Sequence, residues 1–313
     1  MSHPPARWRI GVSRCLLGEP VRYDGGHKRN GYVVETLQRH FDLVAFCPEL
    51  EVGLGVPRPP IRLVRHAQSV RALGVEQPEL DVTLPLTRYL DQVRERVAPL
   101  VGFILKQGSP SCGLEVALHE AERPIGTTAG LFSGRLRAAL PWLPVEEEGR
   151  LSDPRLRENF LTRLFVHGRW RDLPDGGLDF ATLLAFHRSH KMLLLAHDEA
   201  CYRRLGRWLA TARQLEPGQR AEQYLGQLLQ GLERLPTPGS HGNALQHLAG
   251  FLKRQLDARQ RGELAATIDA YRQGALPWTT PVALLNHHFQ HHPHPFALAQ
   301  HYLRPLPAEL LGP

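Results

Sequence analysis

Apolar and polar positions in the first half of the chain switch repeatedly between two periods. Arg9–Ser13 sets Ile10 and Val12 in a short strand pattern, and residues 43–46 form a second. Residues 101–105 are an unbroken apolar run, the pattern of a strand buried on both faces. Helical spacing lies between them: Val34, Leu37 and Phe41 around a helix predicted over 31–40. Leu86, Leu90, Val93 and Val97 follow at i, i+4, i+7 and i+11 in a helix running from Asp81 to Val97. Strands that alternate with helices predict an α/β domain, Rossmann-like, with a mostly parallel sheet and helices on both faces.

Three shorter stretches interrupt the rhythm. Residues 56–65, with Pro57, Pro59 and Pro60, read as a loop entering an edge strand or hairpin. Residues 126–131 read as a Gly/Thr loop before a helix over 132–140. Residues 144–153, with the acidic run Glu146–Glu148 and Gly149, read as a linker, which places one domain at 1–150 and a second at 151–313.

The second half is helical throughout. Ser152-Asp153-Pro154 is a helix start, with a capping candidate and proline in the first turn. Apolar stripes follow: Leu156-Phe160-Leu164, Leu183-His187, Cys201-Leu205-Leu209, Tyr224-Leu228-Leu232, Leu245-Leu248-Leu252-Leu256 and Leu264-Ile268-Tyr271. Breakers such as Pro217-Gly218 and Pro236-Thr237-Pro238-Gly239 divide several of them. The expectation is an all-α bundle.

A chain of 313 residues suits two domains at ~100–200 residues each. No apolar run approaches the ~18 residues of a membrane span, so no membrane partner is expected. The opening residues lack the apolar stretch of a secretory signal. The net charge of +7 is uneven: 19 Lys+Arg face 17 Asp+Glu in residues 1–150, and 19 face 14 in the rest. The more basic half suits a polyanion partner, or simply solubility. The histidine-rich stretch His287, His288, His291, His292 and His294 reads either as a metal tract or as a helix end whose imidazoles favour the dipole or touch phosphate.

The four cysteines, Cys15, Cys47, Cys112 and Cys201, form no CxxC, which excludes ribbon-type zinc sites and thioredoxin-type motifs. Their sparse use points to the cytoplasm. Cys201 falls on a helical stripe and reads as core. The other three each follow a predicted strand, where ligands bind an open parallel sheet. Three soft thiols with no partner histidine favour an iron–sulfur cluster with one open iron. Zinc completed by Glu49 or His27 and three unrelated buried thiols remain alternatives. Acid–base candidates lie close in sequence: Glu49 after Cys47, Ser109 and Ser111 before Cys112, and Asp24 and His27 on a glycine loop.

The stretches SRCLLGEPVRYDGGHK (13–28), FCPELEVGLGVPRPPIRL (46–63), KQGSPSCG (106–113) and GTTAGLF (126–132) resemble the TudS-type thiouracil desulfidase family over about residues 7–145. The resemblance implies a [4Fe–4S] cluster on Cys15, Cys47 and Cys112, its fourth iron open to substrate sulfur. It implies Glu49 and Ser109 as catalytic residues. Ser13, Arg14, Asp24, His27 and Ser111 are candidates for substrate binding. SHKMLLLAHDEACYRRLGR (189–207), HGNALQHLAGFLKRQL (241–256) and YRQGALPWTTPVALLNHH (271–288) resemble the YbgA-like helical family over about residues 155–308. The two in this order resemble bacterial desulfidases that remove sulfur from 4-thiouridine in tRNA, giving uridine and hydrosulfide, with the helical domain thought to hold the RNA. The alternative is the same chemistry on free thiouracil or thionucleotides. On the RNA reading, His187-Arg188-Ser189-His190-Lys191, Arg203, Arg204 and Arg207, and Lys253 and Arg254 on a helix after Gly250, are the expected basic patches.

Overall fold

The computed structural model describes residues 7–174 and 179–310. It divides into two compact units, Met1–Phe160 with Ala308–Pro313, and Leu161–Pro307. The first unit thus keeps the residues up to Phe160 and takes back the chain end, where the Tyr32 hydroxyl donates to the Leu310 carbonyl at 2.8 Å.

The first unit holds two four-stranded sheets where the sequence suggested one. β1 (Arg9–Ser13), β2 (Asp42–Phe46), β5 (Leu100–Leu105) and β8 (Val145–Glu147) form an all-parallel sheet in the order β2-β1-β5-β8. β3 (Ile61–His66), β4 (Ser69–Gly74), β6 (Val116–Glu120) and β7 (Arg123–Thr128) form the second, in the order β4-β3-β6-β7, with β3 and β6 parallel and both outer pairs antiparallel. The helices are α1 (Pro48–Glu51), α2 (Thr83–Gln92), α3 (Arg94–Val97) and α4 (Leu131–Ala139).

Several expectations are corrected. The strand after the proline loop does open a hairpin, β3 with β4, but it is not an edge strand, since β6 pairs on its other side. Residues 126–128 belong to β7 rather than to a loop. The helix expected over 31–40 is a π-helical turn, Tyr32–Thr36, running into a 3-10 turn, Leu37–Arg39, which buries Val33 and Leu37. The long helix after Asp81 is two, parted at Val93. The supposed acidic linker is an ordered strand: Glu146 pairs with Ile104 and Glu147 with Leu105, and both carboxylate residues are buried.

Packing follows from the apolar runs. α2, α3 and α4 cover one face of the first sheet with Tyr89, Leu90, Val93, Val97, Phe132 and Leu136 against Phe46, Phe103 and Leu105. Ile61, Leu63, Val116 and Leu118 of the second sheet meet Val82 and Leu86 at the start of α2. In a parallel sheet every strand ends at the same edge. Ser13, Phe46, Leu105 and Glu147 therefore deliver their following residues to one place.

The second unit is helical, as expected. It takes the later part of α5 (Pro154–Arg171), then α6 (Phe180–His197), α7 (Glu199–Thr211), α8 (Pro217–Leu232), α9 (Pro238–Gly250), α10 (Ala258–Arg272), α11 (Thr279–His291) and α12 (Pro295–Leu298). The breakers are helix starts. Pro217 opens α8, and Thr237 caps α9 in a reciprocal box with Ser240. Two parts of the expected basic patches change. Residues 251–255 are turns, so Lys253 and Arg254 are not helical. His187 and His190 are core residues, against Tyr224 and Phe186 respectively. Burial pushes the imidazole pKa of His187 down to about 4 and that of His190 well below its usual value, so neither carries charge at neutral pH. Cys201 is core, as expected. Among the described residues no helix is long and apolar enough to cross a membrane.

Candidate active site

The loops beyond the first sheet enclose a cavity of about 480 Å³. Cys15, Cys47 and Cys112 all line it, with Glu49, Ser109 and Ser111. Each thiol arrives by a different local device. Cys15 sits in the 3-10 turn Arg14–Leu17 directly after β1. Cys47 caps the single turn of α1, whose first residue is Pro48. Cys112 lies in a tight loop after β5. The Pro110 and Ser111 carbonyls of that loop accept the first amides of α4, from Leu131, Phe132 and Ser133. Gly130 permits this approach, since a Cβ there would lie 2.6 Å from the Ser111 carbonyl oxygen.

Glu49 meets four donor atoms. Its Oε1 accepts the Ser111 hydroxyl at 2.7 Å and the Ser109 hydroxyl at 3.3 Å, and the two hydroxyls are 3.0 Å apart. Its Oε2 accepts Nε and Nη2 of Arg58 at 2.9 and 2.7 Å. The remaining Arg58 nitrogen donates to the carbonyls of Val21 and Gly55 at 2.9 and 3.0 Å. Arg58 is buried, its side chain 5% exposed, and Glu49 is largely covered at 12%. Arg58 is the residue that sequence reasoning missed. The available signal was a lone cation between the prolines of residues 57–60.

Of the other candidates, Ser13 and Arg14 line the cavity, whereas Asp24 and His27 do not. Those two lie on the glycine loop and serve its own backbone. Asp24 accepts the Gly26 amide, and His27 Nδ1 accepts the Arg29 amide. Ser13 Oγ accepts the Lys106 amide at 2.9 Å. Arg22, Tyr23, Lys28, Arg58 and Lys106 also line the cavity.

Burial raises all three thiol pKa values, Cys15 to about 11 and Cys112 to about 12. Opposing it, the Leu50 amide reaches Cys47, and the Ser13 and Ser111 hydroxyls reach Cys112. Without a metal these groups are neutral thiols at neutral pH, so binding one would expel protons. Among the described residues no three His, Cys, Asp or Glu side chains form a group that could hold a single ion. The histidine-rich stretch is therefore not gathered either. Within it His288 is buried, and His287 and His291 have ring centroids 4.8 Å apart. Three soft sulfur donors on one cavity still suit a multi-iron cluster, in which each thiolate takes a different iron.

Comparison with known proteins identifies two domains in tandem. Residues 10–148 match the family described as 2-thiouracil desulfurase, and residues 191–307 match the family described as protein of unknown function DUF1722. The chain belongs to the YbgA-like, DUF1722 family in its second part, and its first part carries the match to the 2-thiouracil desulfurase model. It is 31% identical over 152 residues to the uncharacterized protein YbgA of Escherichia coli (strain K12), covering 47% of this chain and 88% of YbgA. A solved structure titled "[4Fe-4S]-dependent thiouracil desulfidase TudS" is 31% identical, with 47% of this chain and 94% of that one covered and a TM-score of 0.38.

Proposed function

We propose that this chain is a [4Fe–4S]-dependent desulfidase that removes sulfur from 4-thiouridine in tRNA, releasing uridine and hydrosulfide. The observation that carries the reading is the shared cavity: Cys15, Cys47 and Cys112 line it together with the Glu49–Ser111–Ser109 group, in a domain that matches the 2-thiouracil desulfurase model. The three cysteines would hold the cluster. When bound, it supplies a soft Lewis-acidic iron with an open position for the thiocarbonyl sulfur. Glu49 takes a proton from the water that attacks C4 of the base. Ser111 and Ser109 orient that water and the reacting carbon, and Arg58 holds the carboxylate still. One water replaces one sulfide at C4, so no electrons are exchanged with a partner.

The tRNA part of the reading rests on the second unit. Arg188, Arg203, Arg204, Arg207, Lys253 and Arg254 are exposed there. Phe251 has its ring 4.4 Å from that of His294 and 5.1 Å from that of Phe296, and Arg188 lies 5.8 Å from the Phe296 ring. Half-exposed rings among cations suit unpaired bases on a phosphate backbone.

The test is anaerobic reconstitution of the full chain, followed by turnover of thiolated tRNA, 4-thiouridine and 4-thiouracil. The reading expects a brown protein and faster turnover of tRNA. A colourless, iron-free protein would overturn the cluster. Equal or faster turnover of the free base would overturn the tRNA assignment and leave thiouracil or a thionucleotide as substrate.

A further inference from the structure

The loop that presents Ser109, Ser111 and Cys112 is held on one side by the start of α4. Its two ends are held by the acidic run at the end of β8 and just past it. Glu148, its side chain only 12% exposed, accepts the Gln107 amide through Oε2 at 2.7 Å and pairs with the Lys106 ammonium through Oε1. Glu147, 3% exposed, accepts the Leu114 amide through Oε1 at 2.7 Å. The next residue, Gly149, lies so close that a Cβ there would sit 2.1 Å from Gln107 Oε1. Two adjacent carboxylates thus grip the loop at both of its ends.

A carboxylate buried in a strand, as at Glu147, or largely covered, as at Glu148, is costly unless donors meet it. Here the donors are loop amides and one lysine, so the charges are stabilised only while the loop stays in place. Charge-assisted hydrogen bonds are roughly twice as strong as neutral ones. Position within the loop is what brings Ser111 Oγ to 2.7 Å from Glu49 Oε1 and to 3.7 Å from Cys112 Sγ.

We propose that Glu147 and Glu148 are positioning residues that clamp the loop from Lys106 to Leu114 and set the Ser111–Glu49 and Cys112 geometry on which turnover depends. This rests on the desulfidase reading of the cavity. Lys106 belongs to the same clamp, as the group that keeps Glu148 matched in charge beside the Cys15 thiol.

The experiment compares Glu147→Ala, Glu148→Ala and Glu148→Gln in the full chain. The first readout is amide hydrogen exchange of the cluster-free protein, which needs no activity. Losing a charge-assisted bond should speed exchange at Gln107 or Leu114 by about 10- to 100-fold, while the amides of β5 keep their protection. The second readout is steady-state turnover. A misplacement of about 1 Å costs up to ~10²-fold, so Glu148→Ala should lower kcat about 10- to 100-fold with KM little changed. Glu148→Gln retains an oxygen for the Gln107 amide and should recover most of that loss. Unchanged loop exchange in both alanine variants overturns the clamp. Faster exchange with unchanged kcat overturns its role in positioning. If the wild-type chain lacks desulfidase activity, the desulfidase reading and the positioning role fall together, whereas the clamp itself is still decided by the exchange data. If Glu147→Ala does not fold, the Glu148 pair decides alone.

Discussion

Replacing Arg58 by methionine should be among the most damaging single changes in the first unit. Methionine keeps much of the volume and removes every donor. Glu49 then loses the Nε and Nη2 bonds of 2.9 and 2.7 Å, and the Val21 and Gly55 carbonyls lose theirs. With Arg58 buried and Glu49 only 12% exposed, the change strands a carboxylate rather than merely deleting an attraction. Breaking such a pair from one side costs about 3–5 kcal/mol. At a urea m-value of ~2 kcal/mol/M, the unfolding midpoint of the first unit should fall by about 1.5–2.5 M. The assay is urea unfolding of the cluster-free chain, with hydrogen exchange at β1 and β5 reporting this unit alone. The double variant Arg58→Met with Glu49→Gln removes the stranded charge. It should be more stable than the sum of the single losses requires, by more than ~1 kcal/mol. Arg58→Lys should fall in between, because one ammonium cannot serve a carboxylate and two carbonyls at once. Strictly additive single and double losses would refute the claim that the cost is the uncompensated charge on Glu49.

Other outcomes are equally concrete. Serine at Cys15, Cys47 or Cys112 should abolish iron incorporation on reconstitution, whereas Cys201→Ser should not; full iron content in Cys47→Ser would remove it from the ligand set. Glu49→Gln should keep a normal visible spectrum and lower turnover by about 10²-fold or more, as loss of a general base does. In the second unit, burial holds the imidazole pKa of His187, His197 and His301 down at about 4, against 6.5 when free. The unfolded chain therefore binds more protons below 6.5, and this unit should lose stability as pH falls from about 6.5 to about 4. A thermal midpoint that stays flat over that range would contradict it. Binding of tRNA should weaken with salt, and Lys253→Glu with Arg254→Glu should make that dependence shallower, by about one in the log–log slope for each phosphate the variant no longer neutralises.

By itself the sequence determined what depends on local period and local chemistry. Apolar runs and helical stripes marked the first sheet's strands β1, β2 and β5, nearly all of the second unit's helices, and Cys201 as core. Motifs with long, ordered spacing brought forward the three cysteines, Glu49 and the serines, which the fold gathers on one cavity. Tertiary structure alone decided what depends on non-local partners. Glu146–Glu148 read as a linker, since three acids in a row rarely stay inside a protein; Arg150 and the Leu114 amide meet the buried carboxylates of β8, and Lys106 and the Gln107 amide meet Glu148 just after it. His187 and His190 read as part of a basic patch, and packing against Tyr224 and Phe186 makes them neutral core. Asp24 and His27 sat beside the cysteine motif in sequence but take no part in the cavity wall. Arg58 carried no periodic signal, and its role comes from a carboxylate nine residues earlier that only the folded chain brings within 2.7 Å. Period and spacing are properties of neighbours along the chain, whereas the burial of a charge depends on which donors the rest of the fold places against it.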